Sequence, residues 1–162
     1  MADSLEQEFL DQINENIGIA HKVCNIYFDQ KDERSDVIQE MFYQLWKAYP
    51  KFRKDSKFST WMYRVCFNTA ITYFKKNKKE MEITEDYYQN NDSSDSNDNY
   101  EEKRDSLYKQ IENLSPINKS ITLLYLDGLK YEEISDITGL SVANVSVRLV
   151  RIKTDLKKIN NL

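Results

Sequence analysis

Apolar residues recur along the first half of this chain at steps of three and four, the spacing of one face of an α-helix. Over roughly Leu5–Phe28, one face carries Phe9, Ile13, Ile17, Ala20, Cys24 and Tyr27. Gly18 interrupts that run at a cost of about 1 kcal/mol against Ala, so the pattern also fits two shorter pieces. A second helix is predicted over Ser35–Tyr49, with Val37, Ile38, Met41, Phe42, Leu45 and Tyr49 in one stripe and Pro50 ending it. A third is predicted over Phe58–Lys76, with Trp61, Met62, Val65, Cys66, Thr69 and Tyr73 on its buried side. Ser56 or Ser59 would cap it, and Lys75 and Lys76 would complement the negative end of its dipole.

The pattern then stops. From Gln89 to Asn99 no residue is aliphatic, and such a segment cannot bury enough surface to offset its ordering entropy. Residues 80–105 therefore read as a flexible acidic linker between domains at 1–79 and 106–162. Beyond it, a short helix is predicted over Ser106–Asn113. The next starts with Ser115 as cap and Pro116 at the first position, and stops at Gly128. Another spans Tyr131–Thr138 and is closed by Gly139. Ser141 caps the last, which runs to about Lys157 with Val145, Leu149, Ile152 and Leu156 as its buried stripe. Val147 and Val150 flank that stripe without an assigned role, though thymine methyl contact is open to them. The fold class is all-α, with two small helical domains.

The turn Thr138-Gly139-Leu140-Ser141 between two such helices is a helix-turn-helix pattern; an ordinary helical hairpin is the alternative. The second helix carries Asn144, Arg148 and Arg151 on one polar side. Asn suits adenine, Arg suits guanine, and either grips phosphate.

Composition narrows the function. Three glycines and two prolines are too few for a turn-rich sheet or a glycine-rich nucleotide loop. No apolar run approaches the roughly 20 residues of a membrane span, and the opening MADSLEQEFLDQ lacks the layout of a signal peptide. Cys24 and Cys66 sit in apolar helical patterns and read as buried thiols in a reducing cytoplasm. With His21 the only histidine, neither a zinc site nor a general base is expected. No catalytic residue, metal or cofactor is assigned.

The net charge of −4 conceals a segregation. Residues 1–46 carry 3 basic and 10 acidic groups, 47–79 carry 10 and 1, 80–105 carry 2 and 10, 106–143 carry 3 and 5, and 144–162 carry 5 and 1. Two basic blocks, each beside a helical apolar stripe, are the footprint of a phosphate backbone. The first block also mixes aromatics with its cations, which suits single-stranded DNA. Phe52, Phe58, Trp61, Tyr63, Phe67 and Phe74 are too many for the core of one three-helix domain, and Tyr63, Phe67 and Phe74 lie off the predicted stripe.

At these motifs the chain resembles a known family. The run from Asp36 to Trp46 resembles the D-x-x-Q-E-x-F-x-x-x-W helix of bacterial sigma factors. Phe58 to Ala70 resembles the F-x-x-W-L-x-R-I-x-x-N-x-A helix that follows it, and Leu114 to Leu156 is similar to the terminal promoter-reading domain. The match is to the extracytoplasmic function group of the sigma-70 family. It implies a non-enzymatic initiation factor that binds core RNA polymerase, directs it to promoters and helps open DNA. Asp36, Gln39, Glu40 and Tyr43 would dock on the β′ clamp helices. Lys51, Arg53, Lys57, Phe58, Trp61, Arg64, Asn68 and Lys75 would take the minus-ten element. Ser141, Asn144, Ser146, Arg148 and Arg151 would read the minus-thirty-five element. Partners so implied are core polymerase (β′ clamp helices and β flap), promoter DNA and, as a further candidate, an anti-sigma factor, with no membrane insertion. The linker would lie in the RNA exit path. The chain departs from the family pattern at Thr72, Lys130, Asn144 and Ser146, and Lys130 would leave its helix weakly capped, by about 1 kcal/mol. The alternative is a free-standing helix-turn-helix regulator dimerising through its N-terminal half.

Overall fold

The computed structural model describes residues 2–82, 106 and 109–160. Its main helices among the described residues are α1 (Ala2–Tyr27), α2 (Lys31–Ala48), α3 (Phe58–Glu82), α4 (Pro116–Leu126), α5 (Tyr131–Thr138) and α6 (Val142–Asn160). A 3-10 turn, Tyr49–Lys51, follows α2, and residues 109–112 are helical ahead of α4. No strand occurs among the described residues.

Helices α1, α2 and α3 pack around Val23, Cys24, Val37, Met41, Leu45, Met62 and Cys66, all buried. Several boundaries differ from the sequence pattern. α1 is one continuous helix through Gly18, where an added Cβ would meet nothing within 4 Å. α2 starts four residues early, at Lys31. Pro50 sits inside the 3-10 turn, a position that needs no N–H from it. Neither serine caps α3: Lys57 precedes it, and its carbonyl accepts the Trp61 N–H at 3.2 Å. α3 continues to Glu82, so Lys75 and Lys76 are not in its last turn and the helix runs into the expected linker as far as residue 82. The rest of the expected linker, 83–105, lies outside the described residues.

The buried faces also turn. Ile17 is exposed, while Ile19 and Val23 are buried. On α3, Met62, Tyr63, Cys66, Phe67 and Ala70 are buried, and Trp61, Val65, Thr69 and Tyr73 only partly. The cause is that the second half of the chain packs on the first, with α4 against α1 and α5 against α3. Tyr63 and Phe67 stack at 6.0 Å beneath that contact. Of the aromatics off the predicted stripe, Tyr63 and Phe67 are buried and Phe74 half-buried, with Asp127 and Lys119 of the other half against Tyr63 and Phe74.

In that half the signals hold closely. The Asn118 N–H donates to Ser115 Oγ at 3.3 Å, and the Asn144 N–H to Ser141 Oγ at 3.1 Å, so both serines cap. Gly139 takes φ +80°, the left-handed conformation the turn needs. Lys130 offers no acceptor, but Glu133 compensates by reaching back to the Lys130 N–H at 3.3 Å. Ser135 Oγ donates to the Leu140 carbonyl at 2.6 Å and Thr138 Oγ1 accepts the Leu140 N–H at 3.3 Å, locking the turn. Val145, Leu149 and Ile152 are buried against Ile121, Leu124, Ile134 and Ile137.

Candidate nucleic-acid interface

On α2, the apolar stripe Val37, Met41 and Leu45 is fully buried, which forces the opposite side outward. Asp36, Gln39, Glu40 and Tyr43 therefore share one exposed face at i, i+3, i+4 and i+7. Gln44 donates to Glu40 at 2.8 Å and holds its carboxylate.

Between α2 and α3 runs a groove of about 700 Å³. Its walls are Asp36, Glu40 and Gln44 on one side and Asn68, Thr69, Thr72, Tyr73 and Lys76 on the other. Two residue sets assigned to separate roles in the sequence thus meet: Asn68 lies across from Asp36 and Glu40. Arg64, Asn68 and Lys75 fall at i, i+4 and i+11 on one exposed side of α3.

The loop before α3 carries Lys51, Arg53 and Lys57, all exposed. Beneath them is an aromatic cluster: Phe52–Trp61 ring centroids are 4.8 Å apart, Phe58–Trp61 5.4 Å and Tyr49–Phe58 6.2 Å. Phe58 and Trp61 are half-buried in that cluster, where they support the loop. Lys54, missed in the sequence, adopts φ +60° and pairs with Glu8 of α1 at 2.9 Å. The hydrogen bond from Lys54 holds the Glu8 carboxyl below its usual range. A left-handed lysine has no sequence signature, since glycine and asparagine are the usual occupants.

On α6, the outward side holds Ser141, Asn144 and Arg151, exposed, with Ser146 and Arg148 half-buried. Arg148 is engaged within the protein: its Nε donates to Asn144 Oδ1 at 2.9 Å and its Nη1 to Asn118 Oδ1 at 3.0 Å. Val147 and Val150 do not flank the buried stripe; they stand opposite it, 50% and 60% exposed.

The contact between the halves was also invisible in the sequence. Asp127 accepts from Lys22 Nζ at 3.0 Å and from the Tyr63 hydroxyl. Tyr27 OH donates to the Pro116 carbonyl at 2.6 Å, and Arg64 donates to the Asp136 carbonyl. Lys119, buried, lies 4.7 Å from the Phe74 ring and 5.6 Å from Tyr27, a cation–π arrangement. Burial, then the Asp127 carboxylate, push the Tyr63 phenol far above its ordinary value.

Known proteins share this arrangement in sequence and in fold. The Sigma-70 region 2 profile matches residues 13–80, and the Sigma-70, region 4 profile matches residues 104–156. The ECF RNA polymerase sigma-E factor of Escherichia coli (strain K12) is 31% identical over 148 residues, covering 82% of this chain and 78% of that protein. The chain belongs to the extracytoplasmic function group of the sigma-70 family. The Haemophilus influenzae sigma-E factor is 29% identical over 136 residues, covering 76% and 72%. Among solved structures, the sigma factor RpoE from Bartonella quintana, crystallised with the anti-sigma factor NepR, matches with TM-score 0.69 at 16% identity over 98% of both chains. CnrH, in complex with the cytosolic domain of CnrY, matches with TM-score 0.70 at 15% identity over 96% of this chain and 89% of that one. Both show the same fold. As a sigma factor, the chain binds core RNA polymerase and directs it to promoters. The free-standing regulator is not favoured: region 2 occupies the half that such a regulator would use to dimerise. Sigma factors in general are not enzymes. Among the described residues, no helix is long and apolar enough to cross a membrane.

Proposed function

We propose the following division of labour within this sigma factor. Residues 1–79 form the region that docks on polymerase and takes the minus-ten element, residues 80–105 link, and residues 106–162 take the minus-thirty-five element. Asp36, Gln39, Glu40 and Tyr43 meet the β′ clamp helices. Lys51, Arg53 and Lys57 hold the DNA backbone near the minus-ten element, and Arg64, Asn68 and Lys75 extend that track along α3. Phe58 and Trp61 act mainly by shaping the loop. Ser141 caps α6, and Asn144, Ser146, Arg148 and Arg151 face the minus-thirty-five element. The β flap and an anti-sigma factor are further partners, the latter because RpoE from Bartonella quintana was crystallised with one bound. The chain works in the cytoplasm and catalyses nothing itself.

The observation that carries this reading is the exposed α2 face. Four polar or amphipathic side chains are aligned there by a helix anchored on its other side by the buried Val37, Met41 and Leu45. That face shares a groove with Asn68, so polymerase contact and DNA contact adjoin. Run-off transcription with core polymerase, with and without the chain, tests it. Promoter-specific transcripts are expected only with the chain, and their absence refutes the reading.

A further inference from the structure

Helix α6 has two apolar sides. One is the core stripe of Val145, Leu149 and Ile152. The other, on the opposite side, is Ala143, Val147, Val150 and Thr154 at steps of four, three and four. All four are exposed, and the helices packed most extensively on α6 are α4 and α5, on the core side. The contact between the halves therefore leaves this stripe open.

Val147 and Val150 are one turn apart, so their side chains stand about 5–6 Å from each other. Cations border the stripe, with Arg151 to one side and Lys157 to the other, both exposed. Charge at the margins with apolar groups between them matches a major groove, where phosphates form the rims and base edges the floor. The apolar group on that floor is the C5-methyl of thymine. The side chains better suited to hydrogen-bonded readout are partly engaged elsewhere. Asn144 Oδ1 already accepts from Arg148 Nε, and Arg148 Nη1 is held by Asn118.

Resting on α6 as the reader of the upstream promoter element, we infer that Val147 and Val150 recognise thymine methyl groups there. Much of the discrimination at that element is then apolar. Each valine buries its methyls against a thymine on one of two neighbouring base pairs.

The test uses the chain bound to core polymerase and promoter fragments randomised across the upstream element. Bound fragments are sequenced. Each enriched thymine is then replaced by deoxyuridine, which removes the methyl and leaves pairing intact. At one or two positions the replacement is expected to weaken binding about four-fold, the effect of one buried methyl. In Val147→Ala and Val150→Ala, each losing one position, the thymine-to-deoxyuridine ratio is expected to fall towards one. Both valines are exposed, so the variants should keep native circular dichroism. Enriched elements without thymine, thymines indifferent to deoxyuridine, or a ratio unchanged in both variants would each overturn the inference and leave the sigma reading standing. No enrichment at all would overturn α6 as the reader, and this inference with it.

Discussion

Glu40 shows how much one exposed side chain can decide. Its neighbours Val37 and Met41 are fully buried, so the helix cannot rotate to hide a substitution. Glu40→Lys is expected to leave the fold intact and weaken core-polymerase binding by several kcal/mol, as a like charge placed against a basic partner does. Normal affinity, measured by competition against native chain for limiting core, would remove Glu40 from the docking face. The two cysteines behave oppositely. Burial pushes the Cys24 thiol up to about 11 and Cys66 to about 12. Neither should react with an alkylating reagent at neutral pH while the protein is folded. A thiol whose folded pKa is raised supports stability fully below its unfolded value, near 9, and that support is lost as pH rises towards 11–12. Melting temperature is therefore expected to be flat from pH 7 to 8 and to fall above about pH 9. A melting curve that rises with pH there would contradict the burial.

At the scale of the element, α6 separates what holds it from what it exposes. Ser141→Ala removes its cap and should cost about 1 kcal/mol in thermal unfolding. Arg148→Ala also breaks the link to Asn118 on α4, whereas Arg151 is exposed on the side proposed to read DNA. Arg148→Ala should thus lower stability as well as DNA binding, by roughly 1 kcal/mol. Arg151→Ala should lower DNA binding alone, by about 1–3 kcal/mol if it reads a base. Equal melting temperatures for the two variants would show that the Asn118 bond contributes nothing. This half was largely legible in the sequence because its signals are local: Ser115, Pro116, Gly128, Gly139 and Ser141 each act within one turn. α1 and α3 were legible as helices but not as faces. Ile17 looked buried but is exposed, and Tyr63 looked spare because its partner, Asp127, lies 64 residues away in the other half. The exposed α2 face was readable because it depends only on its own buried stripe. The joining of that face to Asn68 was not, because it depends on how α2 and α3 pack.

For the molecule as a whole, Asp127 is the residue to change. It accepts from both Lys22 and Tyr63, and Asp127→Ala would leave a buried phenol without its acceptor, at about 1–3 kcal/mol. The two halves are expected to melt separately in that variant, and small-angle scattering should show a larger radius of gyration. A single transition and unchanged scattering would mean that the contact is held elsewhere. The same contact has a consequence of reach. Arg64, proposed above for the minus-ten element, donates to Asp136 of the helix-turn-helix, so the two proposed DNA readers touch. Elements named for positions ten and thirty-five are about 25 base pairs apart, or roughly 85 Å along the duplex. A molecule folded on itself cannot span them. Residues 83–105 number 23 and, drawn out fully, cover at most about 80 Å. On the proposed division of labour, a chain of that length nearly equals the promoter distance by itself, and the breadth of the two halves makes up the difference. Shortening that segment by ten residues should leave the contact between the halves intact and abolish transcription from promoters of normal spacing, a loss that moving the two elements closer together would restore.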